Sequence, residues 1–270
     1  MNYSQIRKEA RSALSGKWGK AALLTLVYTI IYSLISFGLS AISGLIPVLS
    51  LFFTIGIYVI TVPIVFGFTV SLIKLRRGEE VHCLDFLDFG FSKFKQVWCT
   101  IGNIIKKMIV PIAVVLIAFL LLFLGIFSMA FSVALQSSFI FIGSLTFIII
   151  GFAGYITGLI LLVPKSYSYM LSYYILYDNP DMPAKEIVEK SERLMIGYRF
   201  KAFVLSFTFF GWILLAILTL GIGMLWLLPY MAIAIIIFYE KRLQDSGESY
   251  GTTVDTAKVE VIDENNNPIQ

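Results

Sequence analysis

Residues 191–240 read SERLMIGYRFKAFVLSFTFFGWILLAILTLGIGMLWLLPYMAIAIIIFYE. A charged helical approach ends at Lys201, and no charged residue returns until Glu240. The 38 residues between them are about twice the ~20 that one helix needs to cross a bilayer. Gly221 and Gly223 fall near the middle, where a helical hairpin would turn. The stretch therefore reads as a membrane hairpin whose two ends return to the same side.

The same pattern occurs twice more. Residues 21–73 and 108–164 are also free of Asp, Glu, Lys and Arg, and each is long enough for two crossings. The turns are expected at Ser43-Gly44 with Pro47, and at Gln136-Ser137-Ser138. Six spans follow, at about 21–45, 49–73, 108–134, 140–164, 202–220 and 223–239. Their composition agrees: 58% of residues are hydrophobic and 14% charged, against roughly 25% charged in soluble domains. The first apolar run is too long for the core of a cleavable signal and reads as an uncleaved first span.

Every charged residue lies in one of four segments that flank these runs, and 18 of the 21 Lys and Arg residues lie in the first three. If each run crosses twice, all charge sits on one side, and the positive-inside rule assigns that side to the cytoplasm with both termini. The expected fold is thus all-α: a polytopic helical membrane protein with six transmembrane helices as three hairpins, plus interfacial amphipathic helices. The lipid bilayer is its first partner, other membrane proteins or a second copy are further candidates, and nothing points to nucleic acid.

Residues 1–20 form a basic leader in which Ile6, Ala10, Leu14 and Trp18 share one helical face, as in a helix lying among headgroups. Ser33, Ser36, Ser40 and Ser43 line one side of the first span. Gly151, Gly154 and Gly158 line one side of the fourth. Small residues in such rows let helices approach closely in lipid, so both rows are helix-packing candidates. Pro63 is expected to kink the second span.

In the segment 74–107, Leu87, Phe91, Phe94 and Trp98 repeat at helical spacing and suggest one helix at the interface. After it, Tyr167, Tyr169, Tyr173, Tyr174 and Tyr177 suit a membrane–water boundary. Asp178-Asn179-Pro180 then breaks the chain, and Pro183 opens a helix with Ile187, Leu194, Met195 and Tyr198 on its apolar face. Residues 241–270 are acidic and polar and are expected to be mostly disordered.

Sites for chemistry are scarce. His82 with Cys83 makes half a metal site at most, and Asp85 with Asp88 reads better as a solvated helix face than as a catalytic pair. With two cysteines and one histidine there is neither a disulfide framework nor a four-ligand His/Cys centre. No catalytic, cofactor or metal residue is assigned.

Several pieces resemble the bacterial domain-of-unknown-function family 975, a group of multipass membrane proteins. They are Ala10-Arg11, Leu14 and Gly16-Lys17-Trp18-Gly19-Lys20; Arg77-Gly78-Glu79; Tyr173-Tyr174-Ile175-Leu176 with Asp178-Asn179-Pro180; Ser191, Leu194-Met195 and Gly197; Phe210-Gly211-Trp212; Leu228-Pro229-Tyr230; and Phe238-Tyr239-Glu240. One departure is Val163-Pro164-Lys165, where the family carries a Pro-Gly pair before the lysine. The resemblance implies a bacterial plasma-membrane protein and brings no activity with it. Three functions are compatible with these residues: a scaffold or partner of envelope proteins, a transporter of an uncharged or lipid-like molecule, and an intramembrane enzyme. The last lacks a base, metal or activated nucleophile in the spans.

Overall fold

A computed structural model of the chain describes residues 2–45 and 50–247, with the side chains of 43–45 outside that description. The turn expected near Ser43, Gly44 and Pro47, and the tail from 248 onward, therefore fall largely outside the described residues. All regular structure among the described residues is helical. Its elements are α1 (Tyr3–Leu14), α2 (Trp18–Leu45), α3 (Ser50–Arg77), α4 (Asp85–Ser92), α5 (Phe94–Ala134), α6 (Ser138–Ser168), α7 (Ser172–Asp178), α8 (Ala184–Leu194), α9 (Arg199–Phe207), α10 (Phe210–Leu218) and α11 (Met224–Asp245). Among the described residues six helical stretches, with α6 and α7 counted as one and α9 and α10 as another, are long and apolar enough to cross a membrane. The molecule is a multi-pass membrane protein.

Several helices extend beyond their expected spans. α5 begins fourteen residues before 108, and α11 continues through Asp245, so residues 241–245 belong to the last helix rather than to the tail. The reason is packing: Val97 and Thr100 of early α5 and Arg242 and Leu243 of late α11 are buried, and burial stabilises helix that composition alone would not.

The core lies at the charged end of the molecule. It gathers Ile6, Ala10 and Leu14 of α1, Ile64 to Leu75 of α3, Phe86 of α4, Ile175 and Leu176 of α7, Ile187 and Leu194 of α8, and Ile233 to Leu243 of α11. Away from it the helices are clothed in apolar residues: Leu34, Phe37, Phe52, Phe119, Phe127 and Phe139 are all exposed. Apolar surface on this scale suits acyl chains and not water.

This core changes the reading of the short helices. The apolar face of α1 is covered by α11 and its neighbours rather than by headgroups, with Ile6 and Ala10 fully buried. Ile187, Leu194 and Met195 around α8 are buried in the same core. The segment 85–98 is not one helix; it breaks at Lys93, whose φ of −108° and ψ of 20° separate α4 from α5. Phe86, Gly90 and Val97 are the buried positions there, while Phe91 and Phe94 are exposed. Period alone found an apolar row without finding the face that packs.

α4 lies against α3 at two glycines. A Cβ on Gly67 would stand 1.8 Å from the Phe86 carbonyl oxygen, and one on Gly90 would stand 2.3 Å from the Pro63 carbonyl oxygen. Backbone meets backbone at this crossing, so α4 reaches along α3 well past the level of Lys74. α5 and α6 run antiparallel, Gly125 against Ile148, Gly151 against Leu122 and Gly158 against Val115. Between α10 and α11, Gly221 takes φ +86° and donates its N–H to the Ala216 carbonyl at 2.9 Å. That left-handed conformation favours glycine and closes α10.

Candidate functional site

The polar groups worth attention are those the fold draws inward at the charged end. Asp178, the last residue of α7, has a side chain only 1% exposed. Arg77, at the end of α3, grips it with two hydrogen bonds, Nη1 to Oδ1 at 2.7 Å and Nη2 to Oδ2 at 3.0 Å. Tyr239 of α11 donates its hydroxyl to Oδ2 at 3.0 Å, and its ring stacks on Tyr174 of α7 at 5.6 Å. A bidentate guanidinium–carboxylate pair with a third donor satisfies the carboxylate on both oxygens.

Around this centre, further pairs tie together each of the charged segments. Arg76 meets Glu240 at 3.3 Å, joining the end of α3 to α11. Lys241 meets Glu9 at 2.8 Å, joining α11 to the leader helix. Lys107 of α5 meets Glu192 of α8 at 2.8 Å. Lys17 donates to the Leu75 carbonyl at 3.1 Å, and Arg242 donates through Nε to the Leu194 carbonyl at 3.0 Å while covering the Tyr198 ring at 3.6 Å. Gln96 of α5 donates to the Pro180 carbonyl.

This arrangement clamps helices; it does not present a reactive group. Both Asp178 oxygens accept hydrogen bonds, Oδ1 from Arg77 and Oδ2 from Arg77 and Tyr239. The residues sequence had marked lie elsewhere. Ser33 and Ser40 are exposed, Ser36 is half-buried, and the Ser43 side chain is outside the described residues. Gly151 and Gly158 are buried against α5, with Gly154 half-buried beside Ala118. Gly221 and Gly223 sit at the α10–α11 turn. His82 is exposed and bonded only to Asp85, through its backbone N–H at 2.8 Å and its ring at 3.5 Å. Among the described residues no three His, Cys, Asp or Glu side chains converge as a metal ion would require.

A family model described as "Protein of unknown function (DUF975)" matches residues 1–246. The chain belongs to this family. The DUF975 match takes in α1 to α11 and every member of the polar cluster. Its separated motifs meet in space: Arg77, Asp178, Tyr239 and Glu240 come from three of the segments that carried the resemblance. No curated protein and no solved structure matches the chain.

Sequence reasoning missed the cluster itself. Arg77 and Asp178 are 101 residues apart and Asp178 and Tyr239 are 61 apart, so no local spacing links them. The available signal was the Asp178-Asn179-Pro180 turn, read as a chain break when it is also an anchor.

Proposed function

We propose that this protein is a non-enzymatic scaffold of the bacterial plasma membrane, crossing it six times as three hairpins with both termini in the cytoplasm. The observation that carries this reading is the closed polar centre. Asp178 is spent on Arg77 and Tyr239, and Glu240 on Arg76, so these buried and half-buried polar groups hold helices together and leave the molecule surfaces to offer. The basic residues of the first three charged segments support a cytoplasmic position for that end. The partners on this reading are the lipid bilayer with other envelope membrane proteins or a second copy of the chain. Apolar flanks of α5 and α6, where Phe119, Phe127 and Phe152 are exposed, supply one surface for them.

The test is reciprocal purification. The tagged chain is isolated in mild detergent from its native membrane, and any protein retained is identified, tagged in turn and used to retrieve this chain. Retrieval in both directions at a fixed ratio is expected. Return with lipid alone, together with protein-dependent movement of a solute across sealed vesicles, would replace the scaffold with a transporter.

A further inference from the structure

A second feature lies outside the clamp, between α1 and the α10–α11 pair. α1 crosses α11, and Tyr230 fixes the crossing by donating its hydroxyl to the Arg7 carbonyl at 3.3 Å. Beside this contact is a cleft of about 440 Å³ between α1, the start of α2, α10 and α11. Arg7 and Arg11, one helical turn apart, line one part of it. Trp18, Trp212 and Trp226 line the rest with aliphatic neighbours such as Leu227.

The two arginines differ from the others of the charged end. Arg76, Arg77, Arg199 and Arg242 each face a carboxylate. Among the described residues Arg7 and Arg11 face none; the Arg7 Nε is buried without a hydrogen-bond partner, as are those of Arg76 and Arg199. Two guanidiniums on adjacent turns match the oxygens of a phosphate, which takes bidentate bonds from such forks. Indole and aliphatic walls contribute little to a soluble anion but complement an acyl chain, and tryptophan suits the region where headgroup meets hydrocarbon.

We infer that this cleft is a binding site for an anionic phospholipid, with its phosphate on Arg7 and Arg11 and the first part of an acyl chain against Trp212, Trp226 and Leu227. The site goes beyond the scaffold reading and does not depend on it, because a chain without protein partners would still carry it. Bound there, the lipid joins α1 to the α10–α11 turn region through charge at one end and apolar contact at the other.

Three of the chain's four tryptophans line the cleft, and Trp98 lies outside it, so the protein carries its own reporters. Full-length protein in neutral detergent is titrated with phosphatidylglycerol or phosphatidylcholine bearing brominated acyl chains, and tryptophan quenching is read. Half-quenching is expected at an about tenfold lower fraction of phosphatidylglycerol, the ratio given by charge-assisted bonds of this kind. R7Q with R11Q should remove that preference, whereas K8Q with K20Q, equal in charge lost, should keep it. Excess inorganic phosphate should not reverse the quenching.

Trp212→Phe with Trp226→Phe should remove most of the selective signal, and Trp98→Phe should leave it. This pair of comparisons locates the lipid even if the arginine variant fails to fold. Equal quenching by the two lipids, a preference that survives R7Q with R11Q in folded protein, reversal by inorganic phosphate, or a selective signal undiminished by loss of Trp212 and Trp226 would each overturn the assignment.

Discussion

Asp178 shows what a single residue does in this molecule. Its carboxylate is withdrawn from water and held by Arg77 and Tyr239, so α3, α7 and α11 share one fixed point. The net contribution of a buried ion pair is small, because desolvation offsets attraction, but removing one partner leaves the other charge stranded. Asp178→Ala and Arg77→Ala should therefore each lower stability by about 3–5 kcal/mol, measured by unfolding of the detergent-solubilised protein. Arg77→Met combined with Asp178→Leu should cost less than either alone. By contrast, Lys185→Ala removes only a 4.0 Å contact to Glu189 on the exposed side of α8 and should change stability little. Leu194→Asp, which puts a charge beside the core under that helix, should sharply reduce folded yield. Similar yields for Leu194→Asp and Lys185→Ala would show that α8 is not packed as described. The apolar face of α8 was legible because its spacing is local. What covers it was not, since Ser191 bonds across to the Ser168 carbonyl and Arg242 reaches the Leu194 carbonyl from the far end of the chain.

Among the elements, the crossing of α4 over α3 makes the sharpest demand on sequence. Gly67 and Gly90 meet the facing backbone at distances no Cβ tolerates, and backbone cannot swing aside as a flexible side chain can. Gly67→Ala and Gly90→Ala should each displace α4, lowering the melting temperature and raising the protease sensitivity of the segment 79–93. Gly56→Ala, also in α3 but with nothing near its Cβ, should be neutral or stabilising by about 0.5–1 kcal/mol, as expected when alanine replaces glycine within a helix. If all three behave alike, the close crossing is wrong. A row of small residues could be read from spacing on α6, but isolated glycines such as Gly67, Gly90 and Gly125 carry no periodic signal. Their reason appears only when the second helix is in place. The same limit explains the segment 85–98, where Leu87, Phe91, Phe94 and Trp98 keep helical spacing across a break at Lys93.

At the scale of the whole molecule, the charge pattern carried most of what was legible. Uncharged runs marked the helices, and lipid requires helices wherever a chain crosses with its backbone bonds satisfied internally. Helix ends were less legible, because α5 and α11 are lengthened by core contacts that composition does not record. The structure then draws the charged segments together: Glu9, Arg76, Arg77, Lys107, Asp178, Glu192, Glu240 and Lys241 pair across segments that the sequence keeps far apart. None of residues 21–73, 108–164 or 202–239 is Asp, Glu, Lys, Arg or His, so a proton-driven carrier would lack its usual intramembrane group. Vesicles with an imposed pH gradient should accumulate no solute beyond that in empty vesicles, and accumulation would count against a scaffold. The central claim is that all charged segments share one side. It is tested most directly by labelling single cysteines in intact cells with a reagent that does not cross the membrane, after Cys83 and Cys99 are replaced by serine. Ser138→Cys and Ile222→Cys, at the α5–α6 and α10–α11 turns, should be labelled from outside, while Glu80→Cys, Asp181→Cys and Ser246→Cys should react only after the cells are opened. Labelling of Glu80→Cys or Asp181→Cys in intact cells would contradict the account.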